Sequence, residues 1–260
     1  MFLSILLACA PADTDDGKPD LGDPVRTIPA DDPGLGTWDG QVYLTRMSAM
    51  DDGDEPGQWA PFAVGEVYDA ARTLPLGGGL PTLEEGCWRE DTPASRPDLV
   101  DVGHTLPLDV GPRTFALERD EGYGDYWWEF GTDLACDCDV GTAVALPDTD
   151  GEVLVPGPVV LDADFASAWA SFEDTGTLDL RWAPADDGSR VGLTLWHEAT
   201  GTSAVCFLDD DGAARLEFAR ADGTPDVVVD RVASRVVAHP TYGTVQLTVR
   251  DSFFPLVETP

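Results

Sequence analysis

The chemistry-bearing residues of this chain concentrate in one aromatic and acidic run, Tyr123-Gly124-Asp125-Tyr126-Trp127-Trp128-Glu129, directly after the turn-forming Asp120-Glu121-Gly122. Tyrosine and tryptophan pair a large apolar ring with a polar tip. Such rings stack on the apolar faces of sugars, while carboxylates accept hydrogen bonds from hydroxyls. The run therefore suits ligand binding, and Tyr123, Asp125, Tyr126, Trp127 and Trp128 are the candidate contact residues. Neighbouring side chains of a strand point to opposite faces, so at most one of Trp127 and Trp128 need belong to the core; the other can pack under a loop or against a neighbouring domain. A second chemistry is calcium binding. Asp209-Asp210-Asp211 and Asp148-Thr149-Asp150-Gly151-Glu152 offer hard oxygen ligands. Neither has the spacing of a helix–loop–helix calcium site, and hairpin turns account for both. Calcium is the only cofactor these loops suggest, and none is required.

Catalytic patterns are missing. The sequence holds no Gly-x-Ser-x-Gly elbow, His-Glu-x-x-His pair, phosphate-cradling glycine loop or dinucleotide fingerprint. Its histidines, His104, His197 and His239, are far apart in the chain. The expectation is a protein without enzymatic activity. A glycan-acting hydrolase using an Asp/Glu pair is the alternative, because abundant carboxylates can meet at glycosidase separation anywhere in space.

Setting Cys9 aside, four cysteines remain: Cys87, Cys136, Cys138 and Cys206. Four allow three disulfide connectivities. A link between Cys136 and Cys138 is strained, so one is expected to reach Cys87 and the other Cys206. Zinc, with histidine as an added ligand, is the rival, but the spacing fits no zinc pattern. Disulfides are the reading, and no metal site is assigned.

The elements that must position these residues read as strands. Leu178, Leu180 and Trp182 alternate with polar residues, as do Val191, Leu193 and Leu195, then Val205 and Phe207, and finally Val245, Leu247 and Val249. Asp187-Gly188, Asp211-Gly212 and Asp222-Gly223 punctuate the series, and such pairs accept the positive φ of tight turns. Thr114–Leu117 and Tyr126–Phe130 flank the aromatic turn, with further strands over Val140–Leu146 and Glu152–Val160. One short helix is expected within 161–175, where Phe165, Trp169 and Phe172 have helical spacing. The predicted class is all-β, with antiparallel β-sandwich domains. Leu178-Asp179-Leu180-Arg181-Trp182-Ala183-Pro184 resembles the second strand of fibronectin type III and related immunoglobulin-like domains, where a buried Trp ends an alternating strand before proline. The resemblance implies a sandwich at the C-terminus and carries no function.

A net charge of −34 excludes nucleic acid as a partner. Residues 10–35 carry seven aspartates against Lys18 and Arg26, with five prolines. With little to bury and like charges in repulsion, this stretch is expected to be a disordered acidic linker. Before it, Leu6-Leu7-Ala8-Cys9 closes an apolar run and resembles a bacterial lipobox. The resemblance implies lipidation at Cys9 and export to the cell envelope, with outer-membrane sorting from Ala10 and a placement either periplasmic or surface-exposed. Residues 1–9 lack the cationic start of an export signal, so a truncated signal is expected. The organisation is then linker 10–35, a β-rich domain at 36–160, a connection at 161–175 and a sandwich domain at 176–260. The expected function is a lipid-anchored binding or scaffold module with a protein or glycan ligand. A purely structural envelope lipoprotein is the remaining alternative.

Overall fold

The computed structural model describes residues 26–27, 37–50, 62–73, 86–91, 99–129, 138–161, 165–185, 187–197, 202–217 and 226–254. Cys9, Cys136, the Asp222-Gly223 pair and all of the linker except Arg26–Thr27 lie outside them.

The fold is all-β with a single helix among the described residues. In chain order the first strands are β1 (Arg26–Thr27), β2 (Thr37–Met50), β3 (Phe62–Thr73), β4 (Gly86–Asp91) and β5 (Thr105–Val110). They are followed by β6 (Arg113–Arg119), β7 (Tyr126–Glu129), β8 (Ala143–Ala145) and β9 (Glu152–Leu154). After α1 (Phe165–Thr175) come β10 (Thr177–Arg181), β11 (Arg190–His197), β12 (Thr202–Leu208), β13 (Ala213–Glu217), β14 (Asp226–His239) and β15 (Gly243–Phe254). Twelve strands form one sheet in the order β4-β12-β11-β14-β15-β2-β3-β7-β6-β5-β8-β9, and β1-β13-β10 form a second. Pairing is antiparallel except at β15–β2 and β1–β13.

Two features depart from the sequence reading. Arg26–Thr27, inside the expected disordered linker, pair with Leu216 and Glu217 of β13. A strand edge offers unpaired backbone groups to any extended segment, so β1 needs no apolar side chains. The large sheet also runs across the division expected at 161–175. β4 pairs with β12, and β15 pairs with β2. The two β regions are therefore woven into one sheet.

Alternation along the strands builds two cores. Val42, Leu44, Leu106, Leu108, Leu117, Val144, Val153, Leu247 and Val249 are among the buried residues of the first. This part of the sheet curls until β9 lies against β14 and β15. At the point of closest approach only glycine fits, since a Cβ on Gly151 would collide with Val237. The second core lies between the two sheets, joining Leu178, Leu180 and Leu216 to Leu193, Leu195 and Val229. Helix α1 adds Trp169 and Phe172, whose rings lie 4.9 Å apart. The helix stops at Gly176, which has φ 74° and donates its N–H to the Phe172 carbonyl at 2.7 Å, a left-handed cap.

β14 serves both cores, Val227 and Val229 in the second and Val237 in the first. Between these groups the sheet carries the row Val191–Arg231–Asp251–Arg46, one residue from each of β11, β14, β15 and β2. Arg231 and Asp251 are fully buried. Arg231 donates to the Ala183 carbonyl and to Asp210, at 2.8 and 3.3 Å. Arg46 binds Asp251 and reaches the carbonyls of Cys138 and Pro156 at 3.1 and 3.3 Å. Buried charge persists here because each guanidinium finds a carboxylate and a carbonyl.

Candidate functional site

The aromatic run is held by the reversal between β6 and β7. Asp120 donates its N–H to the Asp125 carbonyl at 2.8 Å and accepts the Gly124 N–H at 2.7 Å. Its side-chain Oδ1 accepts the N–H groups of Gly122 and Tyr123, at 2.7 and 3.1 Å. An aspartate closing its own turn in this way is common turn chemistry, and Gly124 supplies the required positive φ of 83°. The turn leaves Tyr123 64% exposed.

Strand β7 then sorts the ring side chains. Trp127 lies between Val64 of β3 and Glu118 of β6 in register, Trp128 opposite Ala63, and Tyr126 between Gly65 and Arg119. Trp127 is 44% exposed and stacks on Phe62, with centroids 5.0 Å apart and planes 15° from parallel. Trp128, on the opposite face, packs against the first core with its ring 6.2 Å from Phe115.

Tyr126 is fully buried and cannot meet a ligand, which corrects its place among the expected contact residues. Its hydroxyl donates to the Gly103 carbonyl and accepts the Val102 N–H, both at 2.9 Å. Burial pushes the phenol pKa up, Asp101 adds to this, and the Val102 N–H opposes it. Tyr126 thus ties the segment before β5 to β7. Of the five residues expected at the site, Tyr123 and Trp127 face solvent, Asp125 and Trp128 are half-buried, with Trp128 packed against the first core, and Tyr126 belongs to the interior. Phe62 and Glu118 complete the surface, and the local sequence gives no signal for either. Strand pairing brings them in from positions far along the chain.

The acidic loops have other partners. Asp209 pairs with Arg190 at 2.7 Å. Asp210 accepts the Trp182 indole N–H at 2.7 Å and the Ala185 N–H, besides Arg231. Asp211 accepts the Ala213 N–H at 3.3 Å. The Asp210 carboxylate is thus committed to Trp182, Ala185 and Arg231. In the other loop, Asp148 takes the left-handed conformation at φ 61° and Thr149 donates to the Leu146 carbonyl at 2.8 Å. Among the described residues, no three His, Cys, Asp or Glu side chains gather as a metal site.

No family model and no curated protein matches this chain. It is similar to a solved structure described as "Ca2+-stabilized adhesin helps an Antarctic bacterium reach out and bind ice", at 14% identity and a TM-score of 0.20. The likeness covers 86% of this chain and 50% of that one, so this chain spans about half the length of its neighbour.

Of the four cysteines expected in cross-links, Cys138 and Cys206 are each disulfide-bonded, and Cys136 lies outside the described residues. Cys206 is buried in the second core, directly opposite Cys87 in the β12–β4 register. Cys138 is buried in the first core.

Proposed function

We propose that this chain is a lipid-anchored cell-envelope protein whose β fold presents an aromatic surface to a glycan or protein ligand, without enzymatic activity. The observation that carries the reading is the exposed Trp127–Phe62 stack, with Tyr123 on the adjoining turn and Glu118 beside Trp127 in the sheet. A flat ring pair next to a carboxylate supplies both contacts that a sugar needs, stacking for its apolar face and an acceptor for its hydroxyls. The rigid strands β3, β6 and β7 hold the rings in place, which lowers the ordering cost of binding.

The lipobox-like Leu6-Leu7-Ala8-Cys9 and the acidic, proline-rich residues 10–35 support the anchored placement. They would tether the fold to a membrane by lipid and spacer. The strand order supports the immunoglobulin-like reading of the C-terminal part. β12-β11-β14-β15 lie on one sheet and β10-β13 on the other, the arrangement of C′-C-F-G facing B-E.

Glycan-array binding tests the reading, with wild type beside Trp127→Ala and Tyr123→Ala. Wild-type binding that both variants lose is the expected result. A wild-type protein that binds no glycan but captures a protein partner through Trp127 would move the ligand class to protein. Membrane fractionation tests the anchor, since Cys9→Ala should release the chain to the soluble fraction.

A further inference from the structure

We propose that Cys87 and Cys206 form a disulfide that fastens the edge strand β4 to the sheet. The two residues are direct partners in the antiparallel β4–β12 register. Opposite residues in such a pair lie about 4.5 to 5.5 Å apart at Cα, within the roughly 4.4 to 6.8 Å span of disulfides. Cys206 sits fully buried in the second core, where it lies opposite Leu193 in the register with β11. Cys206, like Cys138, is not a free thiol.

The topology gives the bond a purpose. Among the described residues β4 is the edge strand of the large sheet, paired with β12. A covalent link there closes a long loop through the fold, and long loops restrict the unfolded chain most.

The reaction is thiol–disulfide exchange with an external disulfide oxidant. The Cys87 and Cys206 thiols lose two protons and two electrons as their S–S bond forms. The oxidant's S–S bond breaks, and it leaves as two thiols. In the cell this rests on the oxidising compartment proposed above, so the test separates the two ideas.

The full chain, recovered from its native compartment, is alkylated under denaturing conditions without reductant, digested and mapped by mass spectrometry. The expected product is one linked peptide pair containing Cys87 and Cys206, lost on reduction and absent from Cys206→Ser. Purified, reduced protein is then refolded with glutathione disulfide and mapped in the same way. A Cys87–Cys206 link with glutathione but not in cells would keep the pairing and remove the export reading. Cys87 joined to Cys136 or Cys138, or an alkylated Cys206 in both preparations, would overturn the proposal. The wild-type maps decide the matter even if the serine variant fails to fold.

Discussion

Arg46 binds Asp251 across the parallel seam where β2 meets β15, and Asp251 has no exposed surface. The same guanidinium holds the Cys138 and Pro156 carbonyls, so one side chain fixes two loops to the sheet. Replacing Arg46 by Met keeps most of the packing but removes the guanidinium that binds the buried Asp251 carboxylate. Breaking a buried pair from one side costs about 3 kcal/mol or more. Urea denaturation at neutral pH should show a loss of that order for Arg46→Met. Arg46→Lys, which keeps the charge but lacks the planar fork that reaches both carbonyls, should fall between wild type and Met. A Met variant as stable as wild type would mean that the pair contributes nothing net.

The tight turn between β14 and β15 makes a second prediction. Gly243 has φ 76°, and a Cβ there would collide with the Asp39 carboxylate, which accepts the Thr244 N–H at 2.8 Å. Gly243→Ala forces a left-handed alanine and displaces Asp39, which should cost about 2 kcal/mol. Thermal unfolding checks this, with Asp39→Ala as companion. If the two effects share the Asp39 contact, the double variant will lose less than the sum of the single changes.

His239, in the same hairpin, predicts a pH dependence. Its Nδ1 accepts the N–H groups of Thr241 and Tyr242, both at 3.1 Å, and its ring stacks on Tyr242 at 3.9 Å. A nitrogen accepting two backbone donors must be unprotonated. Burial lowers the imidazole pKa, opposed by Asp148 and the Pro147 backbone. The folded state thus binds fewer protons than the unfolded chain. The stabilisation is complete above about pH 6.5, the ordinary histidine value, and falls as pH drops toward the lowered folded value. Asp230 behaves oppositely. Burial raises its pKa, with Arg250 and Ser252 opposing, so its contribution is present in acid and lost as pH rises through the raised value. The difference in urea midpoint between wild type and His239→Gln, followed from pH 8 to pH 5, isolates the histidine. The wild-type advantage should shrink toward acid, and a gap independent of pH would refute the assignment.

Local periodicity made the strands legible but not their neighbours. Leu178, Leu180 and Trp182 alternate because one face of β10 meets the second core, and Phe165, Trp169 and Phe172 share the buried side of α1. Those relations span a few residues. The pairing of β15 with β2 joins Leu247 to Val42, and no period links positions so distant. Asp210 shows the same limit at a site. Its triplet has the composition of a calcium loop, yet Trp182 and Arg231 claim its carboxylate through contacts that only the folded sheet creates. Arg231 itself continues an ordinary alternating pattern, and nothing in its neighbours marks it as fully buried. The aromatic run was legible as a cluster because its members are adjacent in the chain. Phe62 joins it only through the pairing of β3 with β7.

The division of labour between Trp127 and Trp128 gives the sharpest test of the site. Trp128 packs against the first core beside Phe115, whereas Trp127 has its stack on Phe62 and otherwise faces water. Trp128→Ala removes a half-buried ring packed against the first core and should cost about 2 kcal/mol, below the range for a fully buried ring. Trp127→Ala gives up an exposed ring pair and should cost about 1 kcal/mol. Binding should follow the opposite order. Trp127→Ala abolishes ligand capture by a protein that unfolds at nearly the wild-type urea concentration. Trp128→Ala retains capture below its lowered unfolding midpoint. Phe62→Leu separates the rings further, because it keeps an apolar support beneath Trp127 while removing the aromatic stack. If the stack orients Trp127 for its ligand, affinity falls in Phe62→Leu while the indole stays exposed. Full affinity in that variant would leave Trp127 as the ligand contact and remove Phe62 from the site.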